Sequence, residues 1–195
     1  MREPLVLTHP PLQGEARLGR DRRYTPAWCT EVLLEHRPPP RLAGGVLDPA
    51  AGDGAILRVL RDHGHSPLYW LDVEPGDGVE EFEGYLDDAG IGNWLEVARD
   101  SALSRCAVVT NPPYSIGPEF MSATLETCPP YCAALLRLNH LGSATWAKFW
   151  REFPLTGMLV LGGRRPSFSA DGKTDASEYF WAVWDDSPHQ WIEIV

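Results

Sequence analysis

Residues 106–110 read Cys-Ala-Val-Val-Thr. Successive side chains of a strand point to opposite faces, so an unbroken apolar run means a strand covered on both sides. Such a strand belongs in the middle of a sheet with helices above and below it, and the flanking sequence supplies both. Gly45-Val46-Leu47 and Pro67-Leu68-Tyr69-Trp70-Leu71 are short apolar runs of the same type. Between them Ile56, Leu57, Val59 and Leu60 recur at helical spacing, with Gly64 just past the end. Thr25-Pro26 starts an earlier helix, with Thr as N-cap and Pro at the first helical position, that runs to about His36 before Pro38-Pro39-Pro40. The acidic stretch after Asp72 reads as a weak helix, then a short strand at Leu95–Ala98. Helix 117–127, strand 132–138 and helix 143–151 continue the alternation, and strands 157–161, 179–184 and 191–194 follow in succession. The expectation is an α/β chain with a mostly parallel seven-stranded sheet, helices on both faces and a C-terminal antiparallel hairpin. Residues 1–22, with three prolines and no periodicity, read as an irregular N-terminal arm, and 23–195 as a single domain.

Composition narrows the class. Hydrophobic residues make up 44% and the net charge is −10, so a packed core is expected and a protein held to nucleic acid by a basic overall field is disfavoured. Between Leu71 and Asp100 ten acids face one base, Arg99. Arg17, Arg20, Arg22 and Arg23 precede the first helix, and Arg164, Arg165 and Lys173 lie in a later loop; alone, each cluster reads as a solvated face. Four cysteines (29, 106, 128, 132) form no paired ligand set, and neither they nor His63 and His65 have partners at metal-ligand spacing. No apolar run approaches a membrane span and the first residues lack a secretion signal, so the chain reads as a reduced, cytoplasmic domain with no metal.

In a sheet of this kind ligands sit at the carboxyl ends of the strands. After the first strand comes Asp48-Pro49-Ala50-Ala51-Gly52-Asp53-Gly54, where two glycines allow a tight turn and close backbone approach to a ligand. Twenty-four residues beyond Asp48, Asp72 ends the second strand, where an acid can bind the two hydroxyls of a ribose. The pair favours an adenosine-bearing ligand over an ordinary strand–helix turn. After the fourth strand stands Asn111-Pro112-Pro113-Tyr114.

That tetrapeptide resembles the amino-methyltransferase signature of S-adenosylmethionine-dependent enzymes, and the resemblance extends over nearly the whole chain. It implies a Rossmann-like methyltransferase fold with S-adenosyl-L-methionine as cofactor. Tyr24-Thr25-Pro26 resembles the leading motif, whose Thr and backbone contact the methionine carboxylate. Asp48 through Gly54 resembles the cofactor loop, including Gly52, with Ala50 where many members have Phe. Asp72 matches the ribose acid. Asp100 matches the acid that accepts the cofactor's adenine amino group, with a solvated acid as its rival. Leu136-Arg137-Leu138-Asn139 fits the motif that follows the next strand. The segment from Arg164-Arg165-Pro166-Ser167-Phe168 through Lys173 to Trp184 is similar to the end of small phage-type DNA adenine-N6 methyltransferases. Phe168 is there a second aromatic wall of the base pocket, or equally a loop Phe packed on the core.

The chemistry explains the residue types. The lone pair of an adenine amino nitrogen is delocalised into the ring. Acceptors for its two hydrogens, the Asn111 side-chain carbonyl and the Pro112 backbone carbonyl, favour the tetrahedral nitrogen that can attack a methyl group. Two prolines fix the backbone and add no competing N–H, while Tyr114 offers a face on which a flipped base can stack. The resemblance implies DNA as partner, and Arg17, Arg20, Arg22, Arg23, Arg164, Arg165 and Lys173 are expected to meet at the strand-end face as a basic rim that contacts its phosphates. The alternatives are an RNA adenine, a glutamine amide, or a non-catalytic adenosine-binding subunit of a larger complex. Sixty-three residues separate Asp48 from Asn111 and 27 follow Phe168, so no stretch is long enough for a separate recognition domain. Target reading is expected from loops or a second subunit.

Overall fold

The computed structural model describes residues 24–84, 92–98, 105–168 and 176–195. Asp100, Lys173 and the arm with Arg17, Arg20, Arg22 and Arg23 lie outside them. The strands are β1 (Val46–Asp48), β2 (Leu68–Trp70), β3 (Glu83–Gly84), β4 (Ala107–Thr110), β5 (Cys132–Arg137), β6 (Gly157–Leu161), β7 (Tyr179–Trp184) and β8 (Trp191–Ile194). They form one sheet in the order β3-β2-β1-β4-β5-β7-β6-β8. From β3 to β5 every pairing is parallel; β7 then runs antiparallel between β5 and β6. The expected α/β sheet and antiparallel hairpin are present, with eight strands rather than seven: β3 is a two-residue edge on β2, and β8 adds a parallel edge on β6.

The sheet has a core on each face. Val46, Ala107, Val109, Leu135 and Trp181 join one cluster; Leu47, Val108, Ala134, Leu136 and Phe180 join the other. Neighbouring residues of a strand thus enter opposite cores, which is why the apolar runs are unbroken. Helices α1 (Ala27–His36) and α2 (Ala55–Asp62) cover the first face through Cys29, Leu33, Ile56, Leu57 and Leu60. The second is covered by α3 (Trp94–Val97), α4 (Gly117–Glu126) and α5 (Ala147–Glu152), through Trp94, Phe120, Met121, Leu125 and Phe149. Among the described residues no helix is long and apolar enough to cross a membrane.

Three local expectations are corrected. Leu95–Ala98 is not a strand: Asn93 caps a helical turn there by accepting from Leu95 N at 3.2 Å. The indole N–H of Trp94 donates to Thr124 Oγ1 at 2.8 Å, which ties that turn to α4. Among its described residues, the acidic stretch after Asp72 forms a 3₁₀ turn, Val79–Glu81, and the edge strand β3 in place of the expected helix. Thr25 does not cap α1, because Pro26 occupies the N-cap position and no side chain caps the helix.

Candidate active site

The strand order reverses between β1 and β4, whose connections leave the sheet in opposite directions and open a crevice at the carboxyl ends. A cleft lies there. It runs from Gly52, Asp72 and Glu74 to Asn111, Pro112 and Pro113, with Asn93, Trp94, Ile116 and Phe120 in its wall. Residues from the ends of β1, β2 and β4 therefore share one surface, although Gly52 and Pro113 stand 61 positions apart in the sequence.

The loop after β1 is held by its own backbone and by two carboxylates. Gly52 and Gly54 both have φ in the left-handed region, +57° and +80°, which glycine adopts without strain. A Cβ on Gly52 would meet nothing within 4 Å. Gly52 N donates to Asp72 Oδ2 at 2.8 Å, and Glu74 N donates to Asp72 Oδ1 at 2.9 Å. Asp72 is thus a rigid carboxylate joining the glycine loop to the turn after β2. Asp48 sits beneath the loop, 1% exposed, and accepts from Ala50 N at 3.1 Å. Burial pushes its carboxyl up to about 7, against the pull of the Thr110 hydroxyl and the Ala50 N–H; Asp72 and Asp53 add to the rise.

At the other end of the cleft, Asn111 is gripped on both sides. Its Nδ2 donates to Thr25 Oγ1 at 3.0 Å, and its Oδ1 accepts from the Tyr114 hydroxyl at 3.1 Å. Tyr114 belongs to an aromatic group beside the cleft and is not one of its lining residues. The Arg137 guanidinium lies 4.8 Å from its ring centroid, the His140 ring meets it edge-on at 5.8 Å, and Tyr179 lies at 6.3 Å. Burial pushes His140 down to about 4, with Arg137 adding to the drop, so its ring is neutral at neutral pH.

Six of the expected residues thus line one cleft: Ala50, Gly52, Asp72, Asn111, Pro112 and Pro113. Thr25 joins them through Asn111, and Gly54 serves as the cap of α2. Tyr24 is exposed, and Pro26 opens α1. Phe168 is not among the residues that line this cleft: it is 5% exposed and packs on Tyr179 with ring centroids 4.9 Å apart. Phe168 and Tyr179 belong to the same buried apolar cluster, and burial of the ring favours that place. Arg164 and Arg165 are engaged within the chain. Arg164 lies 4.6 Å from the Trp28 ring centroid, and Arg165 Nε is 2.9 Å from each carboxylate oxygen of Glu178. No grouping of three or more metal-ligating side chains occurs among the described residues.

Glu74, Asn93 and Trp94 line the cleft without having been singled out in the sequence. The signal for Asn93 was present: an Asn followed three residues later by Glu96 and interleaved with apolar residues is a helix start.

No protein-family model and no curated protein matches the chain. Solved structures do. A protein described as a class I S-adenosylmethionine-dependent methyltransferase from Listeria monocytogenes superposes with a TM-score of 0.55 at 14% identity, over 90% of this chain and 66% of that one. The M protein of the type I restriction enzyme EcoKI gives 0.59 at 19% identity, over 84% of this chain and 44% of that one. A protein described as an RNA methyltransferase from Pyrococcus horikoshii gives 0.57 at 17% identity, over 80% of each chain. The chain spans just under two thirds of the Listeria protein and less than half of the EcoKI subunit. Identities this low speak for the backbone alone, and on that ground the chain has the fold of the S-adenosylmethionine-dependent methyltransferases.

Proposed function

We propose that the chain transfers a methyl group from S-adenosylmethionine to the N6 amino group of an adenine in DNA, flipped out of its stack into the cleft. The observation that carries this reading is that Asn111-Pro112-Pro113 shares one cleft with Gly52 and Asp72. A transferase needs its acceptor group and its donor site within reach of each other, and that cleft would bring them together.

The residues suit the cofactor. Gly52 leaves open the space a side chain would fill, and Asp72 presents a fixed carboxylate suited to a ribose diol. Two acids, Asp72 and Glu74, line the end where a positively charged ligand would gain most from them. When bound, S-adenosylmethionine supplies an electrophilic methyl group on a cationic sulfur. The work of this chain is on the acceptor side. The Asn111 carbonyl and the Pro112 backbone carbonyl would accept the two amino hydrogens and draw the nitrogen lone pair out of conjugation. Pro112 and Pro113 present no N–H that would repel an amino group. The EcoKI M protein and the modification subunit of a type I restriction enzyme from Vibrio vulnificus among the neighbours, with a structure of a type I R-M system, favour DNA over RNA. The chain spans less than half of each of them.

The test is to incubate the purified chain with labelled S-adenosylmethionine and separate DNA, RNA and protein pools. Label in N6-methyladenine of DNA supports the reading. Label in RNA adenine or in a glutamine amide moves the substrate, and cofactor binding without transfer to any pool makes the chain an adenosine-binding subunit.

A further inference from the structure

An Asn amide has two ends of nearly the same shape and opposite hydrogen-bonding character. If Asn111 is to accept an amino hydrogen, its carbonyl must face the substrate, because an NH2 in that place would oppose the amino group donor to donor. The tetrapeptide does not by itself hold the amide in place; its neighbours must. Two hydroxyls flank it. Nδ2 donates to Thr25 Oγ1 at 3.0 Å on one side, and Oδ1 accepts from the Tyr114 hydroxyl at 3.1 Å on the other. Thr25 is 7% exposed, so the NH2 end is turned into the protein, where it needs an acceptor. Asn111 itself lines the cleft, whereas Thr25 does not.

Thr25 has the sequence position of a helix cap and does not act as one. Pro26 holds the N-cap of α1 and the helix has no side-chain cap, while the threonine hydroxyl bonds to a residue 86 positions away. Its hydroxyl is therefore used on the catalytic loop and not on its own helix.

We propose that Thr25 is a positioning residue whose hydroxyl anchors the Asn111 amide at the edge of the cleft, where the acceptor base would lie. This rests on the adenine-methylation reading above, and it differs from direct contact between Thr25 and the methionine carboxylate. A valine at this position keeps the shape and removes the acceptor. It leaves Nδ2 without its Thr25 partner and the amide tethered by the Tyr114 hydroxyl alone.

The experiment compares Thr25→Val, Thr25→Ala and Thr25→Ser in the full chain with three readouts. These are S-adenosylmethionine affinity by calorimetry, kcat and KM on an adenine-containing duplex, and water exchange of the Asn111 side-chain amide protons by NMR, assigned by their loss in Asn111→Asp. The expected result is a fall in kcat of about 10–100-fold for Val and Ala, the scale on which a misplaced catalytic group costs rate. KM and cofactor affinity stay unchanged, Ser restores the rate, and amide exchange speeds up in Val and Ala but not in Ser. A loss of cofactor affinity with kcat intact at saturation overturns the proposal and returns Thr25 to the cofactor site. Unchanged amide exchange in Thr25→Val also overturns it. If the wild-type chain methylates no adenine, the functional reading fails on its own, and the exchange measurement still decides whether Thr25 holds the amide.

Discussion

Replacing Asp48 by Asn removes a titration that sets how stability varies with pH. Asp48 is 1% exposed, and burial pushes its carboxyl from the ordinary 3.8 up to about 7. Between those two values the folded chain holds a proton that the unfolded chain has released. Stability is therefore greatest below the lower value, falls as pH rises through the window, and levels off above about 7. A shift of about three units at 1.36 kcal/mol each bounds the loss at ~4 kcal/mol. Asn keeps a carbonyl that can accept from Ala50 N, as Asp48 Oδ1 does at 3.1 Å, and carries no titrating proton. Urea unfolding of both proteins at pH 4.5, 6 and 7.5, in buffers chosen around roughly this window, measures the effect. The Asp48→Asn chain is expected to gain stability relative to wild type as pH rises, by an amount of order 2–4 kcal/mol. A difference between the two proteins that does not change with pH would refute the argument, since Asp48 would then be titrating at its ordinary value despite its burial.

Other outcomes follow from the same geometry. Asn111→Ala is expected to lower kcat by about 10²–10³, as for one missing polar stabiliser, with calorimetric cofactor affinity intact. Asp72→Asn keeps the shape of the turn but loses the charge; cofactor affinity is expected to drop by ~1.5–3 kcal/mol, and unchanged affinity would mean that the ribose is held elsewhere. A Cβ on Gly157 would run into the Trp191 indole, so Gly157→Ala is expected to cost ~1–3 kcal/mol of stability in chemical denaturation, with cofactor affinity unaffected. Arg164→Ala with Arg165→Ala is expected to weaken DNA binding and flatten its salt dependence if these loops contact phosphates; an unaltered slope would make them a surface closed on Trp28 and Glu178.

The strand–helix alternation was legible because burial on both faces leaves an unmistakable trace: Ala107-Val108-Val109 has no polar position to interrupt it. The short edge elements were not. Glu83–Gly84 pairs by only two residues, and Trp94–Val97 is a single turn, so neither is long enough to show a period. Local chemistry settles such segments, and at Asn93 it was the cap that decided.

The residue types at the strand ends, namely Asp48, the two loop glycines, Asp72 and Asn111 through Tyr114, are written in the chain and point to an adenosine ligand and an amino acceptor. Their roles depend on distances that no linear spacing contains. Phe168 entered the core and not the cleft because the ring of Tyr179, on β7, lies within van der Waals reach once β7 inserts between β5 and β6. Thr25 carries the signature of a helix cap, yet its hydroxyl accepts from Asn111 because the parallel packing of β1 beside β4 and the placement of α1 over the same face bring those segments together. Hydrogen-bond partners are chosen by proximity in space. Burial and spacing decide which elements form; only the packed sheet decides which of their side chains meet.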